Sequence, residues 1–169
     1  MLAPFFLAFA LLSAPVMAAG SPAVVVQQGK ASIYADKFHG RRTASGELHD
    51  QNALTAASRL LPLGTLARVI NLETGQAVTV EITDRGPYAQ GRIIDLSRRA
   101  AGRIGLSLRQ GVAPVKVEAH VARQPTPELR EEVARLAAVR AAPKPRDPVA
   151  RAIKQPNVRR GVRENFGRQ

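Results

Sequence analysis

Three clusters of residues in this 169-residue chain carry side chains able to do chemistry. The first is Gly40-Arg-Arg-Thr-Ala-Ser-Gly-Glu-Leu-His-Asp50, where Glu47 and Asp50 stand three apart in a glycine-flanked loop and can turn both carboxylates into one cleft. Loops held on a rigid scaffold are where acid–base residues are often placed, although acidic loop residues are also commonly just solvated. The second is Leu54-Thr-Ala-Ala-Ser58 followed by Leu61-Pro-Leu-Gly-Thr65, which also reads as a small-residue strand and a Pro-Gly turn with no chemistry required. The third is Thr83-Asp-Arg-Gly-Pro-Tyr88 with Gly91-Arg-Ile-Ile-Asp-Leu-Ser97. Asp84 ends an apolar run ahead of the turn-forming Gly86 and Pro87, a place where a carboxylate sits half-buried, as a general acid does. The alternative for Asp84 is structural, as a cap of that turn or a partner of Arg85. Asp95 reads as a structural residue holding the turn before a helix.

The elements that must position these clusters are short. Lys30–Ala35 and Leu66–Leu72 read as strands, and in Gln76–Thr83 a two-residue alternation puts Val78, Val80 and Ile82 on one face and Thr79, Glu81 and Thr83 on the other. Glu73-Thr74-Gly75 joins the latter two as a tight hairpin, with glycine where positive φ is needed. Ala113–Ala119 reads as the last strand. Ser97 caps a helix from Arg98 to Ile104 that stops at Gly105, with Ala100, Ala101 and Ile104 as its apolar stripe. Asn52–Leu60 is either a short strand or a turn of helix. Small strands around one short helix predict a compact, mainly β barrel.

Composition narrows the classes further. There is no cysteine, which excludes disulfides, thiolate metal sites and cysteine nucleophiles, and the three histidines are scattered, so no metal and no cofactor is expected. Met1–Ala18 is an apolar run ending in small residues and reads as a signal peptide cleaved before Ala19, although no Lys or Arg precedes it. Residues 19–28 form a lead-in, 29–121 the barrel domain, and 122–169 a basic extension. Within that extension Thr126-Pro127 opens a helix to Arg140 with Leu129, Val133, Leu136 and Val139 on one face, followed by a disordered Pro-rich tail. The basic extension reads as a solvated tail or, by its charge, as a contact with an anionic wall polymer or membrane surface. Export, an aromatic content of only 4% and the lack of a binding motif argue against nucleic acid.

Taken in order, Gly29–Tyr34, Gly40–Glu47, Leu54–Ala57, Leu61–Thr65, Asp84–Pro87 and Gly91–Ser97 resemble the motifs of the rare lipoprotein A (RlpA) family. The resemblance runs from about Gly29 to Val121. It implies a six-stranded double-psi β-barrel, the fold of barwin and expansins, in an exported periplasmic protein. It also implies an endolytic transglycosylase that cleaves the MurNAc-β-1,4-GlcNAc bond of peptidoglycan strands stripped of their peptides. Asp84 then matches the barrel carboxylate that acts as acid and base, Glu47 and Asp50 the acidic loop residues tied to activity. Thr43, Ser58, Arg85 and Tyr88 are expected to bind the glycan, and Asp95, Gly86 and Pro87 to shape the site.

Two departures matter. Family members commonly read Thr-Ala-Ala-His where this chain has Thr55-Ala-Ala-Ser58, and a serine hydroxyl cannot exchange protons near neutral pH as histidine does. His39 and His49 lie in the neighbouring loop, where each reads as an exposed residue or as a substitute for that histidine. With no cysteine to carry a lipid and no glycan-binding repeat domain read after Val121, a soluble monomer is expected. The alternative function is a non-catalytic, expansin-like barrel that grips peptidoglycan.

Overall fold

A computed structural model describes residues 23–141; the signal segment read at 1–18 and the Pro-rich tail lie outside the described residues. Six strands close on themselves: β1 (Val24–Ile33), β2 (Thr55–Ser58), β3 (Leu66–Asn71), β4 (Ala77–Asp84), β5 (Arg92–Leu96) and β6 (Val112–His120), in the order β1-β5-β2-β4-β3-β6. The pairs β1/β5 and β2/β4 are parallel and the other four antiparallel. This is the double-psi β-barrel that the motifs imply. Two helices complete it, α1 (Arg98–Arg103) and α2 (Pro127–Ala141).

The barrel interior is filled by the apolar faces of its strands. In β4 the alternation is as read: Val78, Val80 and Ile82 are buried, while Thr79 and Glu81 stay exposed. Thr83 departs from it. The period places Thr83 outside with Thr79 and Glu81, yet it is only 5% exposed, because the tip of the 40–50 loop folds over the end of β4. There Ser45 N–H donates to the Thr83 carbonyl at 3.0 Å.

The β3–β4 hairpin turns through Gly75 at φ 72°, where a Cβ would be strained. Asn52–Leu60 resolves into β2, paired on one side with β4 and on the other with β5. β5 is a strand that the alternation misses, since Ile93, Ile94 and Leu96 are all covered to some extent. β1 begins at Val24, inside the stretch read as a lead-in, because Val24 to Ser32 pair continuously with β6.

The helices are held by polar residues. Ser97 Oγ accepts from Ala100 N–H at 3.2 Å and donates to the Ala53 carbonyl at 2.6 Å, so the cap of α1 also fastens the chain entering β2. Ala100, Ala101 and Ile104 are fully buried, as their spacing predicts. The helix read as part of a solvated basic tail is a component of the fold: Val133 and Ala137 of α2 join the apolar core, with Leu136 packed beside them, while Val139 is exposed. Gln124, 2% exposed, ties this extension to the barrel. Its Oε1 accepts from Leu66 N–H at 2.9 Å, and its Nε2 donates to the carbonyls of Leu66 at 3.0 Å and His120 at 2.9 Å.

Candidate active site

The 40–50 loop is a small hairpin. Arg42 and Leu48 form a bridge, Gly40 N–H donates to the His49 carbonyl at 2.8 Å, and His49 N–H donates back to Arg41 at 2.8 Å. Thr43 closes the tip, its N–H and hydroxyl both donating to the Glu47 carbonyl, at 2.8 and 3.0 Å. The tip is docked on Asp84. Ala44 N–H and Arg85 N–H donate to Asp84 Oδ1 at 2.9 and 2.8 Å, and the Tyr34 hydroxyl donates to Oδ2 at 2.7 Å. One half-buried carboxylate thus joins the end of β1, the end of β4 and the loop that carries Glu47. Burial, with the bond to Asp84 and the charge of that residue, pushes the Tyr34 phenol above its usual range, so it stays protonated and available as a donor.

A groove of about 220 Å³ is lined among others by Thr43, Glu47, His49, Asp50, Thr55 and Thr83, the residue before Asp84; Asp84 itself is not on its lining. Glu47 is exposed on its wall. Asp50 is also exposed; it accepts from Asn52 N–H at 2.8 Å and stands 4.0 Å from His39. The structure therefore brings Thr43, Glu47 and Asp50 together in one groove, and joins their loop to Asp84 through Ala44. Three donors fix the carboxylate's orientation, two N–H groups on Oδ1 and the Tyr34 hydroxyl on Oδ2. Among the described residues no group of three or more His, Asp or Glu is placed to hold a metal ion.

Other expected contacts are placed differently. Arg85 does not pair with the Asp84 carboxylate: its Nη1 donates to the carbonyls of Ser58 and Leu61, at 3.0 and 2.6 Å, bracing the chain after β2. Ser58 is 1% exposed and its Oγ accepts from Leu60 and Leu61 N–H, both at 3.2 Å. A hydroxyl so turned has both acceptor positions taken by the chain's own backbone. Removing it in Ser58→Ala leaves two N–H groups without that acceptor, so the expected result is about 1 kcal/mol lost in thermal unfolding and an unchanged affinity for glycan strands. Tyr88 is 78% exposed, on the turn two residues after Gly86. Gly86 holds φ 139° ahead of a cis Pro87, in the turn right after Asp84. Asp95 accepts from Ser32 Oγ, and Arg92 reaches both, so this carboxylate joins β5 to β1.

The sequence reading passes over Tyr34 as a site residue and misjudges His49, which is 4% exposed. The His49 ring lies 4.3 Å from that of Tyr34, and Phe38 packs edge-on against Tyr34 from the other side. Burial lowers the His49 pKa from its ordinary 6.5, against weaker opposing effects of Gln51 and Asp84. The folded state then favours the neutral ring while the unfolded chain takes the proton more readily. That contribution to stability is complete above pH 6.5 and is lost as pH falls from there through the lower folded value. On acidification across this window the melting temperature of the natural chain is expected to drop more than that of His49→Phe, as calorimetry at several pH values would show.

A family model described as "Lytic transglycolase" matches residues 26–117, which takes in β2 to β5 whole and most of β1 and β6. The chain belongs to this family. Its lytic transglycolase domain resembles the "Probable endolytic peptidoglycan transglycosylase RlpA" of Treponema pallidum at 52% identity over 94 residues, 56% of this chain and 29% of that protein. It is 46% identical over 101 residues to the "Endolytic peptidoglycan transglycosylase RlpA" of Neisseria meningitidis, covering 60% of this chain and 42% of the relative. The relative from Vibrio cholerae shares 42% over 106 residues, 63% of this chain and 40% of its own length. The chain thus spans less than half the length of these relatives. Among solved structures, the Streptomyces papain inhibitor aligns with a TM-score of 0.44 and 21% identity, over 57% of this chain and 96% of the inhibitor.

Proposed function

We propose that this lytic transglycolase domain is an endolytic transglycosylase acting on peptidoglycan glycan strands in the periplasm, without metal or cofactor. The observation that carries the reading is the Asp84 carboxyl group, half-buried and held by Tyr34, Ala44 and Arg85, one residue after Thr83 of the Glu47 groove. The relatives named above are described as acting on this polymer. Asp84 gives its proton to the oxygen leaving C1 of N-acetylmuramic acid. As the C6 hydroxyl oxygen of the same sugar bonds to C1, its proton passes to Asp84, which regenerates the acid. The products are a free GlcNAc hydroxyl and a 1,6-anhydro end, and no water is consumed. Because the attacking oxygen belongs to the substrate, one proton-shuttling carboxyl suffices where retaining hydrolases need a second as nucleophile. Glu47, charged and on the groove wall, stabilises the positive character that develops at C1.

Incubating the protein with glycan strands freed of peptides should release 1,6-anhydro-muramyl products, readable by mass spectrometry. Their absence between mildly acidic and neutral pH would overturn the reading. The second reading, a barrel that binds peptidoglycan without cutting it, is favoured by Ser58, which leaves no titrating side chain at its position. It predicts saturable co-sedimentation with peptidoglycan and no anhydro ends.

A further inference from the structure

Among the described residues, four side-chain polar atoms are buried without a hydrogen-bond partner: His49 Nε2, Thr55 Oγ1, Thr65 Oγ1 and Arg92 Nε. Two of them belong to His49 and Thr55, residues on the lining of the same groove as Glu47. Buried polar atoms are paired as a rule, and an exception calls for a reason such as a ligand that completes the pair. Here the two residues come from separate pieces of chain, the 40–50 hairpin and the first residue of β2, and share one groove.

We propose that His49 and Thr55 are substrate-contacting residues that together hold a neutral hydroxyl or acetamido group of a sugar ring in this groove. The inference rests on reading the groove as the glycan site and adds two contacts to it. Three features specify the ligand. The groove carries the carboxylates of Glu47 and Asp50, which repel an anionic group and leave a neutral one as the partner. An imidazole that burial holds neutral offers one ring nitrogen as donor or acceptor, and a threonine hydroxyl offers both functions, which matches a sugar hydroxyl or an amide. Finally, the His49 ring is fixed against Tyr34, whose hydroxyl is fixed on Asp84, so a sugar bound to Nε2 is set in register with the acid. The charged and titrating groups around the ring are Asp84 on β4, Tyr34 after β1, and His39, Glu47 and Asp50 on the loop.

His49→Phe keeps a ring on Tyr34 and removes the nitrogen; Thr55→Val keeps the shape and removes the hydroxyl. On bare glycan strands each variant is expected to raise KM, by about 10-fold for His49→Phe, with kcat changed much less, since the contact is made in ground state and transition state alike. His49→Gln, which restores a polar atom, should recover part of the loss. A second measurement stands apart from turnover: in 15N-labelled full chain carrying Asp84→Asn, addition of tetra-N-acetylchitotetraose should shift the His49 imidazole nitrogen signals. Unchanged KM in folded His49→Phe and Thr55→Val overturns the proposal, as does a His49 signal that stays still while the Glu47 amide moves, or the absence of any binding. Where a variant does not fold, the nitrogen signals decide. Failure of the wild-type chain to form anhydro ends while His49 still responds to the oligosaccharide would overturn the catalytic reading and leave the contact standing.

Discussion

Asp84→Asn is expected to lower the release of anhydro-muramyl ends by about two to four orders of magnitude, the range that a positioned acid–base group contributes. The fold should survive. An asparagine oxygen can still accept from Ala44 and Arg85 N–H, and its amide can donate to the Tyr34 hydroxyl, which turns from donor to acceptor. The melting temperature should therefore move little, and the glycan affinity should remain. Asp84→Ala separates the two duties of this side chain. It removes the proton and also the acceptor that docks the hairpin, so KM should rise together with the loss of kcat. Activity of Asp84→Asn within tenfold of the natural chain would place the proton on another group.

The second large effect is on stability, far from the chemistry. Gln124→Leu keeps the volume of a buried side chain but abandons the N–H and carbonyl of Leu66 and the carbonyl of His120. Buried backbone groups left unpaired carry a desolvation cost each, so the expected loss is about 3 kcal/mol, close to 10 °C in melting temperature for a domain of this size. Because Gln124 is the link between β6 and α2, amide exchange in α2 and at the start of β3 should accelerate most. A shift below about 2 °C would mean that water replaces the amide at no cost.

How legible these features are in the sequence depends on the range over which they are made. The inward face of β4, the Ser97 cap and the Gly75 turn follow from neighbours within a few residues, and each is found where the pattern puts it. Thr83 does not, since what buries it is a loop some forty positions earlier. The same holds for Ser58, whose hydroxyl is spent on its own backbone, and for Gln124, where a polar side chain among basic residues gives no sign of burial. His49 looks like a solvated loop residue until Tyr34 is brought across the barrel to cover it. The acid itself was legible as a type of residue at the end of an apolar run; the three donors that fix it come from segments that only the closed barrel brings together.

The pairing of Val24 with His120 has a geometric consequence. The first strand enters beside the point where the last one leaves, and from there β1 climbs ten residues, about 30 Å of extended chain, before Tyr34 reaches the acid. Val24 and the carboxylate that the Tyr34 hydroxyl holds are thus set apart by the full length of one strand, so Asp84 lies at the pole of the barrel remote from Val24.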